Sequence, residues 1–186
     1  MPEKKYCPYC STPLTRRELE ERLRLYCRGC QTIIYENPVP ATCVVVANPE
    51  GEILLVKRAV GPKKGHWCLP GGYLELDEPP TGGALRELRE ETGLNGTLGR
   101  LLGAIQAHSD LYGYLLMVGY WIEVFDGRLV AGDDAQAARF FPLHSLPPVA
   151  FRSHRWFIDK ARELKLIGRE GELQPKPADR PQTDLA

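Results

Sequence analysis

Three glutamates, Glu87, Glu90 and Glu91, stand at i, i+3 and i+4 and so share one face of any helix that carries them. Ala84, Leu85, Leu88 and Thr92 fill a neighbouring, mostly apolar arc, so the acids border a face suited to burial. Like charges at helix spacing cost about 0.2–0.5 kcal/mol per pair, and a bound cation would relieve that repulsion. Carboxylate oxygens without soft donors select Mg²⁺ or Mn²⁺ over zinc or copper. Such a cluster can hold metal ions against a pyrophosphate and activate an attacking water. Taken alone, the same acids also fit an ordinary solvated helix face.

A second constellation is made of sulfur. Cys7-Pro-Tyr-Cys10 and Cys27-Arg-Gly-Cys30 form two C-x2-C pairs separated by sixteen residues. This spacing predicts a closed tetrahedral Cys₄ site for structural Zn²⁺, with no ligand position left for chemistry. Disulfides and redox pairs are the alternatives, and redox pairs more often accompany a βαβ pattern that is absent here. A segment of about 35 residues cannot bury much core, so the metal would supply much of its folding energy. Cys43 lies in an apolar run and reads as a small core hydrophobe. Cys68 has no clear role on sequence grounds.

The elements that position these groups can be read from punctuation and periodicity. Glu36-Asn37-Pro38-Val39-Pro40 marks a linker. Thr42 to Ala47 and Ile53 to Lys57 read as strands joined by a turn at Asn48-Pro49-Glu50-Gly51. The acidic helix is expected from Thr81 to Thr92, stopped by Gly93. Leu115 to Phe125 reads as a strand, which a turn at Asp126-Gly127 would return as a hairpin. A second, amphipathic helix is expected from Ser153 to Leu166, with Ser153 as N-cap, Gly168 after its end, and Trp156, Phe157, Lys160, Ala161 and Leu164 along the packed stripe. The polar stretch 169–186, with three prolines, reads as a flexible tail.

Acidic and basic residues number 24 each, which leaves no net field to steer the chain toward bulk nucleic acid. No apolar run approaches the roughly 20 residues that span a bilayer, and the first residues lack the hydrophobic stretch of a secretory signal. The expectation is a cytoplasmic protein with no membrane partner. A homodimer stays open.

The spacing around the acidic helix is specific. Gly72, Glu78, Arg86, Glu87, Leu88, Glu90, Glu91, Gly93 and Leu94 match all nine specified positions of the Nudix box, G-x5-E-x7-R-E-U-x-E-E-x-G-U with U apolar. From about Pro38 to Leu166 the chain resembles the Nudix hydrolase domain. The resemblance implies an α/β fold, the Nudix α/β/α sandwich with a mixed sheet, over residues 37–168, preceded by a zinc ribbon over residues 1–36. It further implies that Glu87 and Glu91 are the principal metal ligands, that Glu90 joins or assists another metal, and that the Gly71 carbonyl completes the site. Arg86 resembles the residue that holds the catalytic carboxylates in place, and Glu78 one that supports the helix or binds another metal. Gly72 and Gly93 are structural, for close backbone approach and for the helix stop. In a segment where many relatives carry one more acid, Asp134 is the choice here, although Ala137 stands where they often have a second glutamate.

The implied reaction is Mg²⁺- or Mn²⁺-dependent hydrolysis of a nucleoside diphosphate linked to another moiety, a small-molecule substrate. A ribbon before a Nudix domain is similar to two enzyme groups. The NADH pyrophosphatases carry S-Q-P-W-P-F-P-x-S after the box, a string this chain lacks. The plant-type FAD and ADP-ribose pyrophosphatases are more similar, through Leu69-Pro70-Gly71-Gly72-Tyr73-Leu74-Glu75 and Ala150-Phe151-Arg152-Ser153. Tyr73, Tyr112 and Trp121 are candidates to stack a base or flavin, and each also fits a core or strand role. His108 and Asp110 are further candidates to reach the substrate. Nucleoside triphosphate or diadenosine polyphosphate hydrolysis, and a nucleotide- or RNA-binding sensor that uses the ribbon, are the competing readings.

Overall fold

The computed structural model describes residues 4–167. The tail read over 169–186 and the helix stop read at Gly168 lie outside the described residues. The chain divides into two compact units, one of residues up to Val39 together with His108–Leu115, the other of Pro40–Ala107 with Leu116 onward.

The first unit is built on an antiparallel sheet of β1 (Leu14–Leu19), β2 (Arg22–Cys27) and β3 (Thr32–Ile34), in that order. Glu20 and Glu21 turn β1 into β2 with φ of 53° and 59°, the two-residue geometry that matches the right-handed twist of hairpin strands. The buried core of this sheet is Cys7, Leu25, Cys27 and Ile34, with Leu14 packed against it. So few apolar side chains cannot hold a fold of this size by burial alone.

The rest of the chain forms β4 (Val39–Val45), β5 (Ile53–Arg58), β6 (Trp67–Cys68), α1 (Pro80–Thr92), β7 (Leu94–Ser109), β8 (Gly113–Gly127), β9 (Ala135–Phe141) and α2 (Arg152–Glu163). Neighbouring strands run in the orders β4-β8-β7 and β6-β5-β9. The expected turn joins β4 to β5, with the Gly51 N–H bonded to the Asn48 carbonyl at 2.9 Å and the Glu52 N–H to Asn48 Oδ1 at 2.8 Å. One face of the strands packs on α1, where Val44, Val46, Leu54, Ala84, Leu88, Leu94 and Ile122 form a continuous core. The Phe157 ring of α2 lies over Gly119 of β8, so close that a Cβ there would come within 2.2 Å of it. Gly119 and Ile122 are three apart, and strand residues alternate between faces, so α1 and α2 cover opposite sides. An α/β/α sandwich results.

Three expectations are corrected. Asp126-Gly127 does not start a hairpin. β8 pairs instead with the preceding β7, a long strand with no clear periodicity in the sequence, through the short Asp110–Tyr112 connection. Glycines at 96, 99 and 103 masked the strand pattern of β7. After Gly127 the chain crosses the end of α1 before β9 pairs with β5. Second, Ser153 does not cap α2: Phe151 holds the cap position and no side-chain cap bond forms. Third, the buried stripe of α2 is His154, Phe157, Ile158 and Ala161, while Trp156 stays 40% exposed.

Phe157 has no exposed surface. Phe157→Ala is expected to lower the unfolding free energy by about 3–5 kcal/mol, the usual cost of deleting a buried aromatic side chain, as read from urea denaturation midpoints.

Candidate active site

Helix α1 starts at Pro80, where a proline ring presets φ and the missing N–H costs nothing, and ends at Gly93 with φ 71°. Its buried residues, Gly83, Ala84, Leu88, Glu91 and Thr92, show that Glu91 lies on the core stripe itself rather than beside it. Glu87 and Glu90 flank that stripe on the more exposed side.

Arg86 organises the acids. Its Nε donates to Glu78 Oε2 at 3.0 Å and its Nη2 to Glu78 Oε1 at 2.7 Å. Nη1 donates to Glu87 Oε1 and to Glu90 Oε2, both at 2.9 Å, and Nη2 also reaches the Tyr73 carbonyl at 3.1 Å. Those five bonds match the five N–H donors of a guanidinium. The Arg86 fork holds the Glu78 carboxyl down to about 2.

Glu91 stands outside the fork. Only 6% of its surface is exposed, and Oε2 accepts the Gly71 N–H at 2.9 Å. Burial pushes its carboxyl up to about 8, with the Gly71 bond opposing and the Glu87 and Asp134 charges adding to the rise. Burial also raises Glu87, against the pull of Arg86. Gly71 has φ 150°, and a Cβ there would lie 2.2 Å from the Thr42 carbonyl oxygen, so no other residue fits. At Gly72 a Cβ would lie 2.4 Å from Glu87 Oε1, so its bare backbone leaves room for that carboxylate. The donors gathered here are carboxylate oxygens beside backbone, the set that suits a hard divalent cation.

The connection from β8 to β9 completes the surroundings. Val130 and Gly132 donate their N–H groups to the carbonyls of Thr92 at 2.9 Å and Glu91 at 3.2 Å, satisfying helix-end acceptors that have no intrahelical partner. This fastening brings Asp133 and Asp134 to the acids, where Asp133 bears on Glu87 and Asp134 on Glu91. The Asp134 carbonyl also takes the Ala59 N–H at 2.7 Å.

Among the remaining candidates, Tyr73 is 39% exposed and contributes its carbonyl to Arg86. Trp121 is 6% exposed, which places it in the core and removes it as an open stacking face. Asp110 and Tyr112 lie in the β7–β8 connection and His108 near the end of β7, all within the first unit, and the His108 and Asp110 side chains approach to 3.9 Å. Sequence reasoning missed Arg58 and His154, and it preferred Asp134 to the neighbouring Asp133, which bears on Glu87. Arg58 ends β5, and its charge pulls Glu91 down. No motif marks Arg58 or His154, because their place at the site depends on strand pairing and helix docking.

In the first unit the four cysteines converge, with all Sγ atoms within 4.8 Å of one another. Cys7 and Cys30 lie 3.8 Å apart, and Cys10 and Cys27 3.4 Å. A tetrahedron of thiolates about 2.3 Å from zinc has S···S edges near 3.8 Å, so the donor set fits that ion. Cys10 Sγ also lies 3.2 Å from the Thr12 hydroxyl oxygen.

The chain belongs to the NUDIX family, whose domain matches residues 37–161, and it is a pyrophosphohydrolase of that family. Hydrolases of this family use divalent metal ions. The chain is similar to an ADP-ribose pyrophosphatase of Methanocaldococcus jannaschii, 36% identical over 130 residues that make up 69% of this chain and 76% of the relative. It is also similar to human diphosphoinositol polyphosphate phosphohydrolase 3-alpha, 39% identical over 87 residues, 45% of this chain; here the match spans about half, 52%, of the relative. Among solved structures, a NUDIX hydrolase from Nitrosomonas europaea superposes with a TM-score of 0.70 at 26% identity, covering 88% of this chain and 93% of that one. The α/β fold is therefore the Nudix fold. Among the described residues, no helix is long and apolar enough to cross a membrane.

The burial of Glu91 makes a pH-dependent prediction for the metal-free chain. A carboxyl held at about 8 in the fold, against 4.5 when unperturbed, binds more protons folded than unfolded between those values. Stability should then fall as pH rises through that window. Glu91→Gln should be more stable than the wild type in EDTA, and the gap should widen from pH 5 to pH 8 by at least about 1.4 kcal/mol, the equivalent of a tenfold change in proton affinity. Urea melts at the two pH values decide it, and a constant gap would refute the assignment.

Proposed function

We propose that this enzyme hydrolyses a nucleoside diphosphate linked to a second moiety, by attack of water on the pyrophosphate, with ADP-ribose as the first candidate and FAD as the second. The observation that carries the reading is the pair of restraints on α1: Arg86 gripping Glu78, Glu87 and Glu90, and Gly71 gripping Glu91. The relative that is an ADP-ribose pyrophosphatase supports the substrate class. FAD rests on the resemblance of the Leu69–Glu75 and Ala150–Ser153 stretches to the plant-type group.

In this scheme Glu87, Glu90 and Glu91, with the Gly71 backbone, hold Mg²⁺ or Mn²⁺, which when bound offsets diphosphate charge and lowers the pKa of the attacking water. The chain's own residues keep the acids ready. Arg86 fixes two of them against their mutual repulsion, and Gly72 leaves the space that the Glu87 carboxylate occupies. Asp134, carried to Glu91 by the β8–β9 connection, borders the same site as a further acid. Water bonds to one phosphorus and loses a proton to solvent, the P–O–P bridge breaks, and the bridging oxygen leaves with the electron pair. ADP-ribose then gives AMP and ribose 5-phosphate, and FAD gives AMP and FMN.

The residues before the Nudix domain we read as a zinc ribbon, closed by Cys7, Cys10, Cys27 and Cys30. Its short apolar core gives the metal the main part in holding it together.

A panel of ADP-ribose, FAD, diadenosine polyphosphates and nucleoside triphosphates, each with Mg²⁺ and Mn²⁺, tests the substrate class. AMP with ribose 5-phosphate is the expected product pair, with ¹⁸O from water entering one phosphate in a single turnover. Cleavage confined to triphosphates would replace the class. Glu87→Gln should lower kcat on the order of 10³-fold, the scale of losing one strong electrostatic stabiliser; near-normal turnover would remove the site from the scheme. For the ribbon, one zinc per chain should survive dialysis against a weak chelator, and Cys27→Ser should release it and make residues 1–36 protease-sensitive. Metal analysis without zinc would reject the ribbon site.

A further inference from the structure

We propose that His154, on α2, is a positioning residue for the glycine turn that meets the catalytic acids, acting through the backbone of Leu69. The role rests on the carboxylate metal site proposed above.

Leu69 to Gly72 is held by one bond at each residue. The Leu69 N–H donates to His154 Nδ1 at 3.0 Å, and the Gly71 N–H donates to Glu91 Oε2 at 2.9 Å. The Pro70 and Gly72 carbonyls accept the N–H groups of Val44 at 3.0 Å and Thr42 at 2.9 Å. Strand β4 therefore anchors the Pro70 and Gly72 carbonyls, while the Leu69 and Gly71 N–H groups go to side chains, and Pro70 has none to give. One of those side chains is a catalytic acid. The other, His154, joins the turn to a helix on the far side of the sheet from α1, across 85 residues of chain.

The chemistry requires this imidazole in one form. An amide N–H can only donate, so Nδ1 must carry the lone pair and Nε2 the proton. Burial holds His154 down to about 3, which keeps that neutral form throughout the working range. Leu69 has no exposed surface, so water cannot replace a lost acceptor. With His154 Nδ1 gone, the Leu69 peptide must turn to find another partner, and the strain passes through Pro70 to Gly71. Gly71 has little freedom to adjust, because its α-carbon is packed against Thr42 and Cys43. The expected casualty is its register with Glu91.

The test reads metal binding directly. In the wild type, ¹⁵N chemical shifts should report His154 as the Nε2–H tautomer, and a proton on Nδ1 would overturn the proposal. His154→Leu, which removes the acceptor, should weaken Mn²⁺ binding measured by electron paramagnetic resonance by about 10- to 100-fold, the usual scale for residues that orient metal ligands. The Mg²⁺ concentration for half-maximal turnover should rise in parallel. His154→Asn, whose carboxamide oxygen can occupy the Nδ1 position, should restore both. His154→Gln, of similar polarity but with its acceptor displaced, should not, and this pair decides the matter if His154→Leu fails to fold. A folded His154→Leu or His154→Gln with wild-type Mn²⁺ affinity, even at a lower melting temperature, reduces His154 to a packing role and overturns the proposal. A wild-type chain that binds no Mn²⁺ instead rejects the metal-site reading, and the positioning role with it.

Discussion

Arg86 carries the electrostatic balance of the box. Carboxylates at helix spacing repel one another, and a burden of three around one guanidinium would be unfavourable if any were left without a partner. Its planar fork meets Glu78 through two bonds, Glu87 and Glu90 through one each, and still reaches the Tyr73 carbonyl. A lysine has three donors on a single point and cannot span that set. The same side chain thus fixes two of the helix acids, the glutamate just before the helix, and the backbone just after the glycine turn. Glu91 is the exception. It is buried, it depends on one backbone N–H, and its carboxyl is the one pushed furthest toward the protonated form. Arg86 neutralises the rim of the cluster, while the acid at its floor is met by the Gly71 N–H.

The scaffold explains why the floor is where it is. Ala84 and Leu88 belong to the core shared with Val44, Leu54 and Ile122, and Glu91 follows them on the same stripe. A carboxylate on a core stripe is costly unless something polar awaits it. The turn at Gly71 supplies that partner because β4 grips the carbonyls on either side of it. From the other end, the β8–β9 connection ties itself to the last carbonyls of α1 and so delivers two aspartates. The acids near the helix thus come from separate parts of the chain, brought together by backbone bonds.

The ribbon obeys a different rule. Its sheet has four buried residues in its core, two of them cysteines. Apolar burial at that scale is small beside the entropy of ordering the strands. On the zinc reading proposed above, the four sulfurs within 4.8 Å of one another would give the segment a local source of stability that does not draw on the larger core.

Much of this was legible in the residues themselves, wherever the information is local. The box spacing announced the acid cluster and its arginine, Gly93 announced the helix stop, and the paired C-x2-C knuckles announced the converging sulfurs, because helix period, turn chemistry and knuckle spacing are properties of neighbouring residues. The tertiary structure alone decided the rest. β7 was hidden by its glycines, and only pairing with β8 reveals it. Asp126-Gly127 looks like a hairpin turn but ends a strand whose partner came earlier in the chain. Trp121 reads as a stacking face until the sheet buries it. Arg58 and His154 carry no motif at all. Each reaches the site through contacts with residues far away in sequence, and such contacts exist only once the sheet and both helices are in place.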